Sequence, residues 1–291
     1  MSSCSELGRR AVRCGSGWRF FVGLAHGLAA AMLVGAVAPV VAAADVSAAD
    51  RVDLATLAVP DSAALFEVHD IDWLDIRRQR AVPARLYLPA TASAIRPVPL
   101  VVFSHGIGGS RNGYSYLGRF WSSQGYASLH LQHVGSDRAL WSGNPFAVVG
   151  RLQAAAQDGE ATARVQDVSF ALDQVLAGEF AGRIDAGRIV AAGHSHGANT
   201  TLMVVRARVA RAGKLIDLRD PRLKAAIVIS APPFCGETEF GSILGGITVP
   251  TLHVTATADT IQVPGYFSPA ADRMSARAPG PTAGRGALTL H

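Results

Sequence analysis

Arg188-Ile189-Val190-Ala191-Ala192-Gly193-His194-Ser195-His196-Gly197, followed by an Ala-led stretch from Ala198, is the part of the chain whose reading decides the fold. The short apolar run at 188–192 predicts a strand buried on both faces. Residues 198–209 predict a helix. Between them stands Gly-x-Ser-x-Gly, the pattern of a nucleophile elbow. In such an elbow the serine occupies a strained strand-to-helix turn. Glycines two positions on either side let strand and helix approach closely, so the hydroxyl projects above the sheet, where the helix N-terminus favours negative charge. The bare pattern is short and carries little weight alone. A preceding strand and a following helix separate it from an ordinary tight Gly-Ser turn.

Working outward, the same alternation continues in both directions. Upstream, residues 100–103 read as a buried strand, 113–124 as a helix, 127–131 as a strand and 160–176 as a helix. Downstream, 225–229 and 251–255 read as strands. Residues 84–88 alternate and stop at Pro89, as an early antiparallel strand does. Residues 45–70 read as an extended lead-in. Strands alternating with helices predict an α/β protein with a doubly wound, mostly parallel sheet in a three-layer αβα arrangement. Ligands of such sheets bind at the carboxyl ends of the strands. Residues 135–159, around Trp141, Pro145 and Phe146, carry no strand signal and are expected to form a cap segment.

The loops at the strand ends are therefore where the chemistry belongs. After Phe103 comes Ser104-His105-Gly106-Ile107-Gly108-Gly109-Ser110. In this type of sheet the loop at that place supplies one backbone donor of an oxyanion hole. The expected donors are the amides of Ile107 and of His196, the residue after the nucleophile. A phosphate-cradling loop is the alternative, but no Lys-Ser/Thr ending follows the glycines. After the strand at 251–255, Asp259 stands where the orienting acid of a Ser–acid–His triad belongs. That order requires a histidine beyond Asp259, and His291, the last residue, is the one that qualifies. His105 and His133 are expected at the substrate side of the site, with a structural role for His105 in its loop as the alternative. His253 reads as a core residue. No histidine pair has metal-ligand spacing with acids nearby, so neither a metal nor another cofactor is expected.

Composition bounds the rest. The chain has 291 residues, 49% hydrophobic and 17% charged, which suits one globular domain with a sizeable core. Of the formal net charge of +5, Arg9, Arg10, Arg13 and Arg19 against Glu6 supply most. The remainder is close to neutral and offers no electrostatic case for nucleic acid. The basic start, the apolar run from Phe20 to about Val41, and Ala42-Ala43-Ala44 have the layout of a secretory signal peptide. Residues 1–44 are thus expected to be removed and 45–291 to form the hydrolase-type domain in the periplasm or outside the cell. Once the segment is cleaved, no stable membrane insertion is expected. An uncleaved anchor is the alternative, because the run is long enough to span a bilayer, and twin-arginine export fits the flanking residues poorly. Cys4 and Cys14 fall in the segment to be removed, leaving Cys235 with no partner for an internal disulfide. The run Arg77-Arg78-Gln79-Arg80 is expected to be a solvated or salt-bridged strand edge.

Several motifs in fixed order resemble one family. They are Asp75-Ile76-Arg77-Arg78-Gln79-Arg80-Ala81-Val82-Pro83, Phe103 to Arg111, His133-Val134-Gly135-Ser136-Asp137, Arg164-Val165-Gln166-Asp167-Val168, the elbow, and Thr251 to Asp259. From about Trp73 to Arg273 the chain resembles the dienelactone hydrolase group of α/β-hydrolases, related to platelet-activating-factor acetylhydrolase-like esterases. The resemblance implies hydrolysis of a small-molecule or lipid ester through Ser195 and Asp259. It also marks a departure. Family members follow the acid with a helix, a strand and a Gly-rich turn bearing the histidine, whereas residues 277–285 here are poor in helix formers. A sheet incomplete at its C-terminus is therefore one expectation. A catalytically dead member that binds a small acyl ligand or a protein partner is the alternative function, and an acyltransferase with the same triad a third.

Overall fold

The computed structural model describes residues 65–211, 213–234, 240–263, 266–268 and 285–290. In chain order its strands and helices are β1 (Phe66–Asp75), β2 (Arg80–Pro89), β3 (Val98–Ser104), α1 (Ser115–Ser123), β4 (Ala127–Leu131), α2 (Val148–Ala155), α3 (Asp158–Ala177), β5 (Ile184–His194), α4 (His196–Val204), β6 (Val209–Arg211), β7 (Lys214–Ile216), β8 (Leu223–Ile229), α5 (Phe240–Leu244), β9 (Thr251–Ala256), β10 (Ile261–Val263), β11 (Tyr266–Ser268) and β12 (Arg285–Leu290). Eight of the strands form one sheet in the order β1-β2-β4-β3-β5-β8-β9-β12. The pairs β1–β2 and β2–β4 are antiparallel, and every pair from β4 to β12 is parallel.

The three layers follow from the period-two alternation of strand side chains. In β3, Leu100 and Val102 point into one core with Val165, Val168 and Leu172 of α3 and Ala198 and Leu202 of α4. Val101 and Phe103 point the other way, against Leu117 and Trp121 of α1. Each fully buried aliphatic or aromatic side chain of this kind contributes roughly 1.5–3 kcal/mol of transfer free energy, so β3 is fixed from both faces. Its register with β4 on one side and β5 on the other brings Ser104 level with Leu131 and Gly193. The loops after β3, β4 and β5 therefore emerge side by side.

Three local expectations are adjusted. The lead-in ends in a strand: β1 pairs with β2 along its whole length. Its alternation is between half-buried and exposed residues, Glu67, His69, Asp70 and Asp72 among them, which suits a sheet edge protected by charge. Helix α4 ends at Val204 rather than 209, since Arg206 adopts φ 89 and turns the chain into the β6–β7 hairpin. Residues 135–159 hold short helices, two of them 3-10 turns at Arg138–Trp141 and Pro145–Ala147, and then α2. Leu140, Leu152 and Ala155 pack there against Ile107 and Val148.

Candidate active site

Ser195 occupies the turn between β5 and α4, with φ 54 and ψ −122. A non-glycine residue is held there only when its surroundings over-determine it, at a cost of about 1–3 kcal/mol. The surroundings are visible: Ser195 N donates to Ile229 O at 2.9 Å, and Ser195 O accepts from Ala198 N at 2.8 Å. The two elbow glycines make the approach possible. A Cβ on Gly197 would lie 1.9 Å from Ser104 O, and one on Gly193 would lie 2.2 Å from Gly197 O. Helix α4 thus begins directly against the end of β3, and its N-terminal dipole sits under the serine.

The two expected oxyanion donors come from the two elements that meet there. Among the described residues, neither the Ile107 nor the His196 amide donates to another protein group. The orientation of the Ile107 amide can be derived. His105 Nε2 lies 3.2 Å from the backbone N–H of His133 and must accept from it. The ring is therefore the tautomer with hydrogen on Nδ1, which donates to Gly106 O at 2.6 Å. Gly106 O also accepts from Gly109 N at 3.0 Å. Gly106 O belongs to the peptide whose other end is Ile107 N–H, and in a trans peptide the two point in opposite directions. Fixing the carbonyl inward aims the amide outward.

This geometry corrects one expectation. His105 and His133 are both buried without exposed surface. His133 joins Asp167 Oδ2 through Nδ1 and Ser104 Oγ through Nε2, each at 3.0 Å. With all four ring nitrogens engaged inside the protein, neither histidine is placed to hold a substrate; they hold the loop instead. Burial, with Arg164 as the next cause, keeps His105 and His133 well below the ordinary histidine value, so both rings are neutral. The side chain of His196 is also held neutral by burial and Arg164.

Asp259 lies just beyond β9, its Oδ2 accepting from Thr255 Oγ1 at 3.0 Å and its amide donating to Ala256 O. Strands β5, β8 and β9 are consecutive neighbours, which separates the ends bearing Ser195 and Asp259 by about 10 Å of sheet. His291 lies outside the described residues. The residue before it, Leu290, ends β12 in register with Ala256, at the same edge of the sheet. Cys235 and residues 1–44 also lie outside the described residues.

Four further residues take part whose roles the sequence does not reveal. Tyr114, at φ 57, shares a 2.6 Å hydrogen bond with Nδ1 of His194, the residue before Ser195, and nothing in its local sequence marks it. Trp141 donates to Gly108 O at 3.0 Å, tying the turn at Arg138–Trp141 to the loop after β3. Arg164 and Asp167 are fully buried on α3. The signal for them was present: two charged residues three apart on the apolar face of a helix. Asp167 receives Arg78 and Arg80 of the β1–β2 hairpin, so the basic run there is salt-bridged as expected. A cavity of about 860 Å³ lies elsewhere, between the turn at Ile76 and Arg77 and the outer part of α3, and none of the candidate catalytic residues lines it. Among the described residues no three His, Cys, Asp or Glu side chains cluster as metal ligands would. Nor is any helix among them long and apolar enough to cross a membrane.

An eight-stranded sheet in this order, with a strained serine at the turn after β5, defines the α/β-hydrolase fold. Comparison with known proteins agrees. Residues 81–142 match the family model of platelet-activating factor acetylhydrolase, isoform II. No curated protein matches the chain. Among solved structures it is similar to the ferulic acid esterase of Streptomyces cinnamoneus, at 22% identity and TM-score 0.50 over 69% of this chain and 68% of that one. It is also similar to a protein assigned as a dienelactone hydrolase in Klebsiella pneumoniae subsp. pneumoniae, at 17% identity and TM-score 0.53 over 77% and 86% of the two chains. The acylaminoacyl peptidase of Pyrococcus horikoshii matches at 15% identity and TM-score 0.53 over 78% of this chain, which spans 37% of that larger protein.

Proposed function

We propose that the protein is a serine hydrolase of carboxylic esters that works through an acyl-enzyme. The observation that carries the reading is the backbone of Ser195: a strained turn, held by Ile229 O and the Ala198 amide, beside two amides, Ile107 and His196, that donate to no other group among the described residues. Ser195 Oγ attacks the ester carbonyl while a histidine accepts its proton. The amides of Ile107 and His196 hold the developing oxyanion, and the protonated histidine then delivers its proton to the leaving alkoxide. Water repeats the sequence on the acyl-enzyme and releases the acid. We assign the histidine to His291 and its orientation to Asp259. The resemblance to esterases and to the acetylhydrolase family supports an ester as the substrate class, a small molecule or a lipid. We also propose that residues 1–44 direct export and are cleaved after Ala44, a site that the N-terminal sequence of the secreted protein would reveal.

Hydrolysis of a short-chain p-nitrophenyl ester tests the reading, with Ser195→Ala, Asp259→Asn and His291→Ala beside the parent chain. Loss of turnover in all three is the expected result. Loss in Ser195→Ala alone would overturn the assignment of base and acid. A folded parent chain without turnover would overturn the hydrolase reading itself.

A further inference from the structure

The two oxyanion amides stand on different elements, Ile107 on the loop after β3 and His196 at the start of α4. Their separation must be held to within a few tenths of an ångström for both to meet one oxygen. The elbow glycines let the two elements approach, and one side chain bonds to both. Arg164 of α3 donates from Nη2 to His105 O, two residues before Ile107, at 2.5 Å. From Nε it donates to Thr200 Oγ1 at 2.9 Å, and that hydroxyl in turn donates to His196 O at 3.2 Å. Its third contact, Nη1 to Ser136 Oγ at 2.8 Å, reaches the loop after β4, where Ser136 O accepts from Gly108 N and Ser136 Oγ donates to Glu160 Oε1.

Such a placement is costly. Arg164 has no exposed surface, and all three of its acceptors are uncharged oxygens rather than carboxylates. Burying a cation whose direct contacts are all uncharged costs several kcal/mol, which the nearby carboxylates of Glu160 and Asp167 offset in part. Burial lowers the guanidinium to about 9, so it remains a cation at neutral pH. A lysine would supply a point charge, but it could not reach three acceptors in the fixed fork of a planar guanidinium. We propose that Arg164 is a positioning residue, a strut that sets the distance between the Ile107 and His196 amides and so tunes the oxyanion hole. Asp167, one turn further along α3, braces the same loop from beneath by way of His133 and Ser104. The strut rests on the ester-hydrolase reading above, because an oxyanion hole matters only if an oxyanion forms.

The test compares Arg164→Lys, Arg164→Met and Thr200→Val with the parent chain. Thr200→Val keeps the side-chain shape and removes the strut's contact to α4 together with the bond from Thr200 to His196 O, so it keeps the assay meaningful if the arginine variants fail to fold. kcat and KM for a p-nitrophenyl ester are read with the melting temperature and with the rate of labelling by a fluorophosphonate probe. Loss of a whole oxyanion donor costs about 100- to 1000-fold in kcat. A mis-set donor should cost less, about 10- to 100-fold for Thr200→Val and Arg164→Lys, with KM changed less than about threefold and labelling slowed in parallel. A merely structural role would lower the melting temperature and leave kcat of the folded protein unchanged. If Thr200→Val and folded Arg164→Lys keep kcat within about twofold of an active parent, the strut is overturned and the hydrolase reading stands. A parent chain that neither hydrolyses the ester nor takes the probe overturns both.

Discussion

Replacing Gly197 with alanine would drive a methyl group into the backbone at the end of β3. The new Cβ would lie 1.9 Å from Ser104 O, 2.6 Å from Ser104 C and 2.7 Å from His105 O. Ordinary contact begins near 3.4 Å, so α4 and the β3 terminus would have to part by about 1.5 Å. The atoms in the way are main chain, held in the sheet by β4 and β5 on either side, and no side chain can swing aside to absorb the shift. Overpacking of this kind costs about 1–3 kcal/mol, and a backbone clash belongs at the upper end. For a chain of this size that lowers the melting temperature by roughly 6–12 °C. The separation would also part Ile107 from His196, and a misplacement of about 1 Å in a catalytic site costs on the order of 100-fold in rate. A thermal melt followed by circular dichroism and an ester-hydrolysis assay on the same purified sample read both numbers. A Gly197→Ala protein that melts within about 2 °C of the parent and hydrolyses at the parent rate would refute the close-approach argument.

The same structure leads to other outcomes. Gly150, inside α2, has nothing within 4 Å of the position a methyl group would take, so Gly150→Ala should raise stability by about 0.5–1 kcal/mol; a fall in melting temperature would count against the described helix. Ser195→Gly should relieve the strain at φ 54 and melt above Ser195→Ala, which keeps it; equal melting temperatures would mean that the turn stores no strain. Burial holds His130 down to about 4 and His105 and His133 well below 6.5, so in the fold all three rings are neutral at pH values where the unfolded chain would bind protons. Their contribution is complete above about pH 6.5 and is lost as pH falls toward the folded values, on the order of 1 kcal/mol each at pH 5.5. A melting temperature that does not change between pH 7 and pH 5 would contradict their neutral burial.

The parts of this molecule that were legible in the sequence are those where one local rule dominates. Leu100 to Phe103 and Ala127 to Leu131 are strands buried on both faces, and a continuous apolar run has few other uses in an alternating α/β chain. The elbow was legible because Gly193 and Gly197 are required by contacts that no side chain permits. Strand β1 was not, because an edge strand facing water alternates in exposure more than in polarity. The end of α4 was not, because it depends on one residue, Arg206, turning left-handed. The sequence places His105 and His133 on the substrate side because a histidine near a Gly-rich loop at a strand end looks available. Only packing reveals that Asp167, Ser104 and a backbone amide occupy their ring nitrogens. Arg164 illustrates the same limit: its charge is plain in the sequence, but its three acceptors come from three separate segments.

Whether Ser195 is an activated nucleophile decides most of the above, and covalent labelling addresses it without a known substrate. The full chain would be treated with a fluorophosphonate, digested and mapped by mass spectrometry. The expected result is one phosphonylated residue, Ser195, with labelling abolished in Ser195→Ala and slowed in Asp259→Asn. A folded chain that takes no label, or takes it on another residue, would contradict the assignment.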